Sequence, residues 1–248
     1  MRNIISFRVV RMLIVLPPSE TKAPGGSQGP MQVSFPSLDP VRSSLLDDLS
    51  TLSLPDMMSS LKLPASKIEE ARENLTLRSA PVMPALFRYT GVLYDALGAD
   101  SLPPAAWSRL AIGSALFGVV RAGDLIPRYR LSGGSKVPAP GGSMPTMKAR
   151  WGELITSALS AEPFVVDLRS GTYEKLGPVP GAVTVRAESV LDNGTRKVVS
   201  HFNKHYKGEL ARVLALGPAV SSVDDVADVA RDAGMTVEVA GAQVTLVV

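Results

Sequence analysis

The sequence predicts an α/β (mixed α+β) fold, built as one mixed β-sheet covered by helices. Short apolar runs bounded by turn residues alternate with stretches of helical spacing, which brings strands after helices into one sheet. Strand pairs closed by tight turns also occur, so antiparallel neighbours are expected beside parallel ones. A chain of 248 residues that is 45% hydrophobic can bury a substantial core.

Met12 to Leu16 is a short apolar strand ended by Pro17 and Pro18. Ser19, Glu20, Thr21 and Lys22 follow where chain leaves sheet, a position from which polar groups project into a cleft or simply form a solvated turn. Residues 23–40, rich in Gly, Ser and Pro, predict a mobile loop. Leu45, Leu46, Leu49 and Leu52 give helical spacing over Val41 to Ser53. Asp56 to Leu63 and Ser66 to Asn74 can form two short helices around Pro64. This is the outline of a helix-hairpin-helix, which offers backbone N–H groups to a phosphate, or of ordinary helix packing.

Pro84 to Leu97 and Ala105 to Val120 read as the principal buried helices, with their aromatic residues in the core. Residues 128–146 are loop, and Met147 to Leu159 is helical with Trp151 and Ile155 on one face. Phe164 to Leu168 is a buried strand running into Arg169, Ser170 and Tyr173. Ala182 to Leu191 and Lys197 to Phe202 form a hairpin over Asp192-Asn193-Gly194, which supplies the positive φ of a tight turn. A helix from Asn203 is stopped by Gly217-Pro218. Ser222 to Ala233 is an amphipathic acidic helix with Ser222 and Asp225 in capping-box spacing, and the last residues pair as strands turning at Gly241.

Composition excludes several functions. The chain has no cysteine, so disulfides, thiolate metal sites and thiol peroxidase chemistry are ruled out. No apolar run approaches the roughly 18 residues that span a bilayer, and the first residues lack a signal-peptide cleavage site, so cytoplasm and no membrane partner are expected. His201 and His205 have the i, i+4 separation of a helical metal pair, but the first falls at a strand end and no third ligand is evident, so no metal is expected. No dinucleotide fingerprint, P-loop or nucleophile elbow occurs, and no cofactor is expected.

The net charge of +3 comes from Arg2, Arg8 and Arg11, which precede Met12; the remainder balances at 23 basic and 23 acidic residues. Distribution says more than the sum. Arg121, Arg128, Arg130, Lys136, Lys148 and Arg150 face only Asp124 over residues 121–150, a net of +5, while the tail from Gly217 carries a net of −4. Such asymmetry places a positive face beside a negative one, as phosphate binding requires, or describes solvated surfaces.

The densest constellation is Ala115 to Leu131, ALFGVVRAGDLIPRYRL, where an apolar run meets Arg121, Asp124, Arg128, Tyr129 and Arg130. Guanidinium groups so close to a buried wall need carboxylates, phosphates or carbonyls, so the cluster is an internal Arg–Asp network or an anion site. GVVRAGDLIPRYRL resembles the GVLRPLDLxxPYRL signature of the YaaA peroxide-stress family, matching at Gly118, Val119, Arg121, Asp124, Leu125, Tyr129, Arg130 and Leu131. MLIVLPPSETK, GVLYDAL, RWGELIT, VDLRSGTYEKL and VVSHFNKHYKGELAR fall in the family's order, the last matching at Lys204, Gly208 and Arg212 with Lys207 standing for an Arg.

The resemblance implies a cytoplasmic protein that protects against hydrogen peroxide and lowers damage from free iron. It also implies DNA binding through a basic cleft and an atypical helix-hairpin-helix. It makes residues 12–248 a single domain of that family and residues 1–11 an N-terminal extension. Two functions of different class follow. In the first, Arg121, Arg128, Arg130, Lys204, Lys207 and Arg212 contact the phosphates of double-stranded DNA with little sequence preference. In the second, the chain is an enzyme for a small phosphorylated or nucleotide-like ligand, in a cleft lined by Ser19, Thr21, Lys22, Asp124, Tyr129, Ser170 and Tyr173. No nucleophile or base is assigned in that reading.

Overall fold

The computed structural model describes residues 12–169, 171–190, 195–197 and 200–248. Strand β1 (Met12–Leu16) is buried at all five positions, as befits an unbroken apolar run covered on both faces. A long connection leads to α1 (Asp39–Thr51), α2 (Leu54–Ser60) and α3 (Ile68–Glu73). Next come β2 (Val82–Pro84), α4 (Ala85–Arg88), α5 (Val92–Leu97) and α6 (Pro104–Trp107). Strands β3 (Leu110–Ser114), β4 (Gly118–Arg121) and β5 (Leu125–Pro127) precede α7 (Met147–Trp151) and α8 (Leu154–Ser160). Then follow β6 (Phe164–Asp167), α9 (Thr172–Lys175), β7 (Val183–Val190) and β8 (Arg196–Lys197). The chain closes with α10 (Ser200–Leu216), α11 (Val223–Asp232), β9 (Val237–Ala240) and β10 (Gln243–Val247).

The main sheet runs β4-β3-β1-β6-β7-β10-β9, with β8 paired to β7. The links from β3 through β1, β6 and β7 to β10 are parallel; β4, β8 and β9 add antiparallel edges. The mixed sheet expected from the sequence is therefore present, flanked by helices. From β1 the chain reaches β3 on one side, then returns over β1 to β6 on the other. That reversal makes the carboxyl ends of β1 and β6 a topological switch point, where connections diverge and leave a crevice.

Four segments differ from expectation. Residues 108–120 form the β3–β4 hairpin rather than a helix, because the position beside β1 is a strand position and sheet context overrides the helix propensity of Leu and Ala. Gly118 takes φ 72 at that turn, and a Cβ there would lie 3.0 Å from the Trp151 ring. The segment from Pro84 is two short helices, α4 and α5, parted at Tyr89-Thr90-Gly91. The helix from Met147 is divided into α7 and α8 at Gly152. Residues 200–202 open α10 instead of extending a strand.

Several other expectations are met, and that of a mobile loop over residues 23–40 is not. The β7–β8 antiparallel pair exists, while its Asp192-Asn193-Gly194 turn lies outside the described residues, as do residues 1–11. Ser222 and Asp225 make the capping box in full. The loop over 23–40 is pinned rather than free, since Ser27 bridges Val82 and Gln32 bridges Leu125 on the small β2–β5 sheet. Among the described residues no helix is long and apolar enough to cross a membrane.

Candidate functional site

The crevice at the switch point is built from the ends of three adjacent strands. After β1, Ser19 accepts from Thr90 N at 3.1 Å and Thr21 Oγ1 accepts from Thr90 Oγ1 at 3.1 Å, which fixes the turn onto the break between α4 and α5. Lys22 points inward: only 7% of the residue is exposed. Its Nζ donates to Ser19 O at 3.0 Å and Glu20 O at 3.5 Å. It also lies 4.4 Å from the centre of the Tyr129 ring and 5.4 Å from that of Tyr89. Burial, then the Arg130 guanidinium, lowers its pKa from 10.5 to about 7.

From the end of β3, Ser114 meets the Tyr129 hydroxyl at 2.7 Å, and Tyr129 meets the Tyr89 hydroxyl at 2.8 Å. Burial pushes both phenols up, Tyr89 to about 12 and Tyr129 well above its ordinary value, so the chain of hydroxyls stays protonated and holds the two rings beside Lys22. From the end of β6, Arg169 grips Asp167 with two hydrogen bonds of 2.9 and 2.7 Å, fully within the core. Lys207 reaches from α10 and donates to Leu168 O at 2.9 Å and Arg169 O at 3.4 Å. Its burial lowers its pKa to about 8, against the opposing pull of Asp167 and Glu174. Tyr173 accepts from Gly133 N at 3.1 Å, and its phenol is pushed up, chiefly by burial.

Arg128 and Arg130 close the front. Arg128 Nε donates to Lys22 O at 3.1 Å and its NH1 pairs with Glu73 at 2.7 Å. Arg130 pairs with Glu20 at 2.5 Å and Glu70 at 3.6 Å. Asn74, just beyond α3, bonds both Arg130 N and Arg130 O, so the two short helices are anchored here. An adjoining cavity of about 300 Å³ is lined by Ser19, Thr21, Thr90, Gly91 and Tyr94, with Lys204 from α10 at its edge.

Not every residue singled out from the sequence joins this group. Arg121 ends β4 beside Ala111, towards the amino end of β3 and away from the crevice at its carboxyl end, and there pairs with Glu162 and lies over Phe35. Asp124 accepts from Arg121 N, Ser34 N and Ser34 Oγ, so it ties down the long loop, and among the described residues it forms no ion pair with an arginine side chain. The Arg–Asp pairing weighed for this stretch is not found among the described residues; the arginines pair with Glu162, Glu73, Glu20 and Glu70 instead. Arg212 donates to Leu97 O and Gly98 O, capping α5, and Lys207 spends its amine on backbone carbonyls. Ser170 lies outside the described residues, as does the side chain of His201. His205 sits 3.2 Å from Glu209.

Tyr89, Ser114, Glu70, Glu73 and Asn74 belong to the site and were not expected there. Ser114 carried a usable signal, since it is the polar residue that ends the short apolar run from Leu110.

A family model described as "Peroxide stress protein YaaA" matches residues 12–238. The chain belongs to that family. A UPF0246 protein of Corynebacterium efficiens is 63% identical over 233 residues, covering 92% of this chain and 95% of its own. A UPF0246 protein of Corynebacterium glutamicum is 56% identical over 232 residues, with the same coverage. One from Streptomyces coelicolor is 39% identical over 240 residues, 92% of each chain. The YaaA signature in this member spans two places. Its first half, Gly118 to Asp124, turns and anchors the outer strand; its second half, Tyr129 and Arg130, faces Lys22.

Proposed function

We propose that this YaaA-family chain acts in the response to peroxide by binding duplex DNA at the switch-point crevice, so limiting iron-dependent damage. The observation that carries the reading is the meeting of Lys22 with Arg128 and Arg130, beside a cavity that shares the Ser19–Thr21 turn and is lined by Lys204. Glu20, Glu70 and Glu73 occupy the guanidinium forks in the free protein. A phosphate has the same bidentate geometry and displaces a carboxylate most readily where that carboxylate is solvated, as Glu20 is, with 68% of its side chain exposed. Arg128, Arg130 and Lys204 are then the phosphate contacts, and α2–α3 lies beside them to supply backbone N–H groups.

Duplex binding should weaken steeply between low and physiological salt, with a log–log slope near −0.9 per contacted phosphate. Arg130→Ala with Lys204→Ala should shallow that slope by roughly two such units. Salt-independent binding, or an unchanged slope in the double variant, rejects the assignment. The second reading, an enzyme for a small phosphorylated or nucleotide-like ligand in the same crevice, is favoured by one observation, the burial of the Lys22 amine with no carboxylate paired to it among the described residues.

A further inference from the structure

A buried lysine ordinarily keeps its charge by pairing with a carboxylate. Among the described residues no ion pair is made by Lys22; two backbone carbonyls of its own turn are its hydrogen-bond acceptors. Arg130, a neighbour of like charge, disfavours the ammonium further, and Glu20 and Glu70 act against it only at a distance. The rings of Tyr89 and Tyr129 lie against the Nζ itself and fix its position, the Tyr129 hydroxyl being bonded to those of Tyr89 and Ser114. With a pKa of about 7, about half of the amine carries a free lone pair at neutral pH. Such an amine, desolvated and beside another cation, is the arrangement that activates lysine towards carbonyl carbon.

Resting on the reading of this crevice as the functional site, but not on duplex binding, we propose that Lys22 forms a Schiff base with the aldehyde of a phosphate-bearing substrate. The neutral Nζ adds its lone pair to the aldehyde carbon while the carbonyl oxygen takes a proton. The carbinolamine then loses water to leave a C=N bond, and hydrolysis returns amine and aldehyde. Arg128, Arg130 and Lys204 supply the charge that holds the substrate's phosphate. The ligand chemistry, an aldehyde next to a phosphate, has two sources: a free sugar phosphate, or an opened abasic sugar within DNA.

The full-length protein is incubated with glyceraldehyde 3-phosphate, or with a duplex holding one abasic site, and reduced with borohydride, which delivers hydride to the C=N carbon. Peptide mass mapping should place one adduct on Lys22, with a labelling rate that titrates near pH 7. At that pH Lys22 offers on the order of 1,000-fold more neutral amine than an exposed lysine and should react correspondingly faster. Labelling by the sugar phosphate alone assigns a small-molecule substrate; labelling by the abasic duplex assigns DNA as the source. Either supports the proposal. Adducts confined to Lys207 or to surface lysines, or a Lys22 rate still rising above pH 9, overturn it. The readout uses the wild-type chain and so does not depend on a variant folding; Lys22→Met should abolish the adduct. Binding of an intact duplex is measured in parallel. Binding without an adduct retains the duplex reading and removes this one, whereas a sugar-phosphate adduct without duplex binding does the reverse.

Discussion

At the scale of the residue, two lysines have been moved into a titration range that free lysine never reaches, Lys22 to about 7 and Lys207 to about 8. Above its folded pKa the native amine is neutral while the unfolded chain still binds a proton, so stability rises with pH from about 7 upwards. Denaturant midpoints should therefore climb between pH 6.5 and 9, with Lys22 contributing on the order of 2–3 kcal/mol by pH 9. Lys22→Met should remove the part of the climb that begins near pH 7 and leave the later part due to Lys207. A flat wild-type profile would mean that the amine stays charged in the fold. The buried tyrosines act in the opposite sense above pH 10, where their raised pKa values keep protons that the unfolded state has lost, so the climb ends there. The titration is not visible in the residue string: Lys22 reads there as either a cleft residue or a solvated turn lysine, and its burial beside Tyr89 and Tyr129 is a tertiary fact.

At the scale of the element, the contact between α10 and α5 brings Lys204 and Lys207 to the crevice. Gly208 permits the approach: a Cβ there would lie 2.3 Å from Leu93 O and 2.8 Å from the Cβ of Ala96. The obstruction on one side is backbone, which cannot rotate away. Gly208→Ala should therefore cost about 1–3 kcal/mol through overpacking, despite the gain in helix propensity that alanine brings to an ordinary helical position. Urea unfolding of the variant measures it, and a variant as stable as wild type would show that α10 shifts without penalty. Elements whose patterns are local are legible in the residues themselves, among them β1 from its five apolar residues and α11 from its capping box. The segment from Ala105 is not, because alternating small and apolar residues suit either a helix or a buried strand until a neighbour is known.

At the scale of the whole molecule, the parallel centre β3-β1-β6 is the most buried part and the crevice is mounted on its carboxyl ends. Amide hydrogens of Leu13 to Leu16, Ala111 to Gly113 and Val165 to Val166 should exchange only through global unfolding. The outer β8 and β9, with alternate or continuous exposure, should exchange through smaller openings. Native-state hydrogen exchange checks this ranking, and rapid exchange in β1 would contradict a core organised around that strand. Strand ends buried beneath a pair whose Glu20 is solvent-exposed suit the exchange of a carboxylate for a phosphate that we propose for this site.

The sequence alone determined the fold class, the central strand, the acidic terminal helix and the family signature, since each rests on residues near one another in the chain. Tertiary structure decided which charges are spent inside the fold and which face the crevice. Arg121, Asp124 and Arg130 lie within ten residues of one another, yet Arg121 answers to Glu162, Asp124 to Ser34, and Arg130 to Glu20 and Glu70. Charge pairing and desolvation depend on every group within a few ångströms, and at this crevice those groups come from segments more than 100 residues apart.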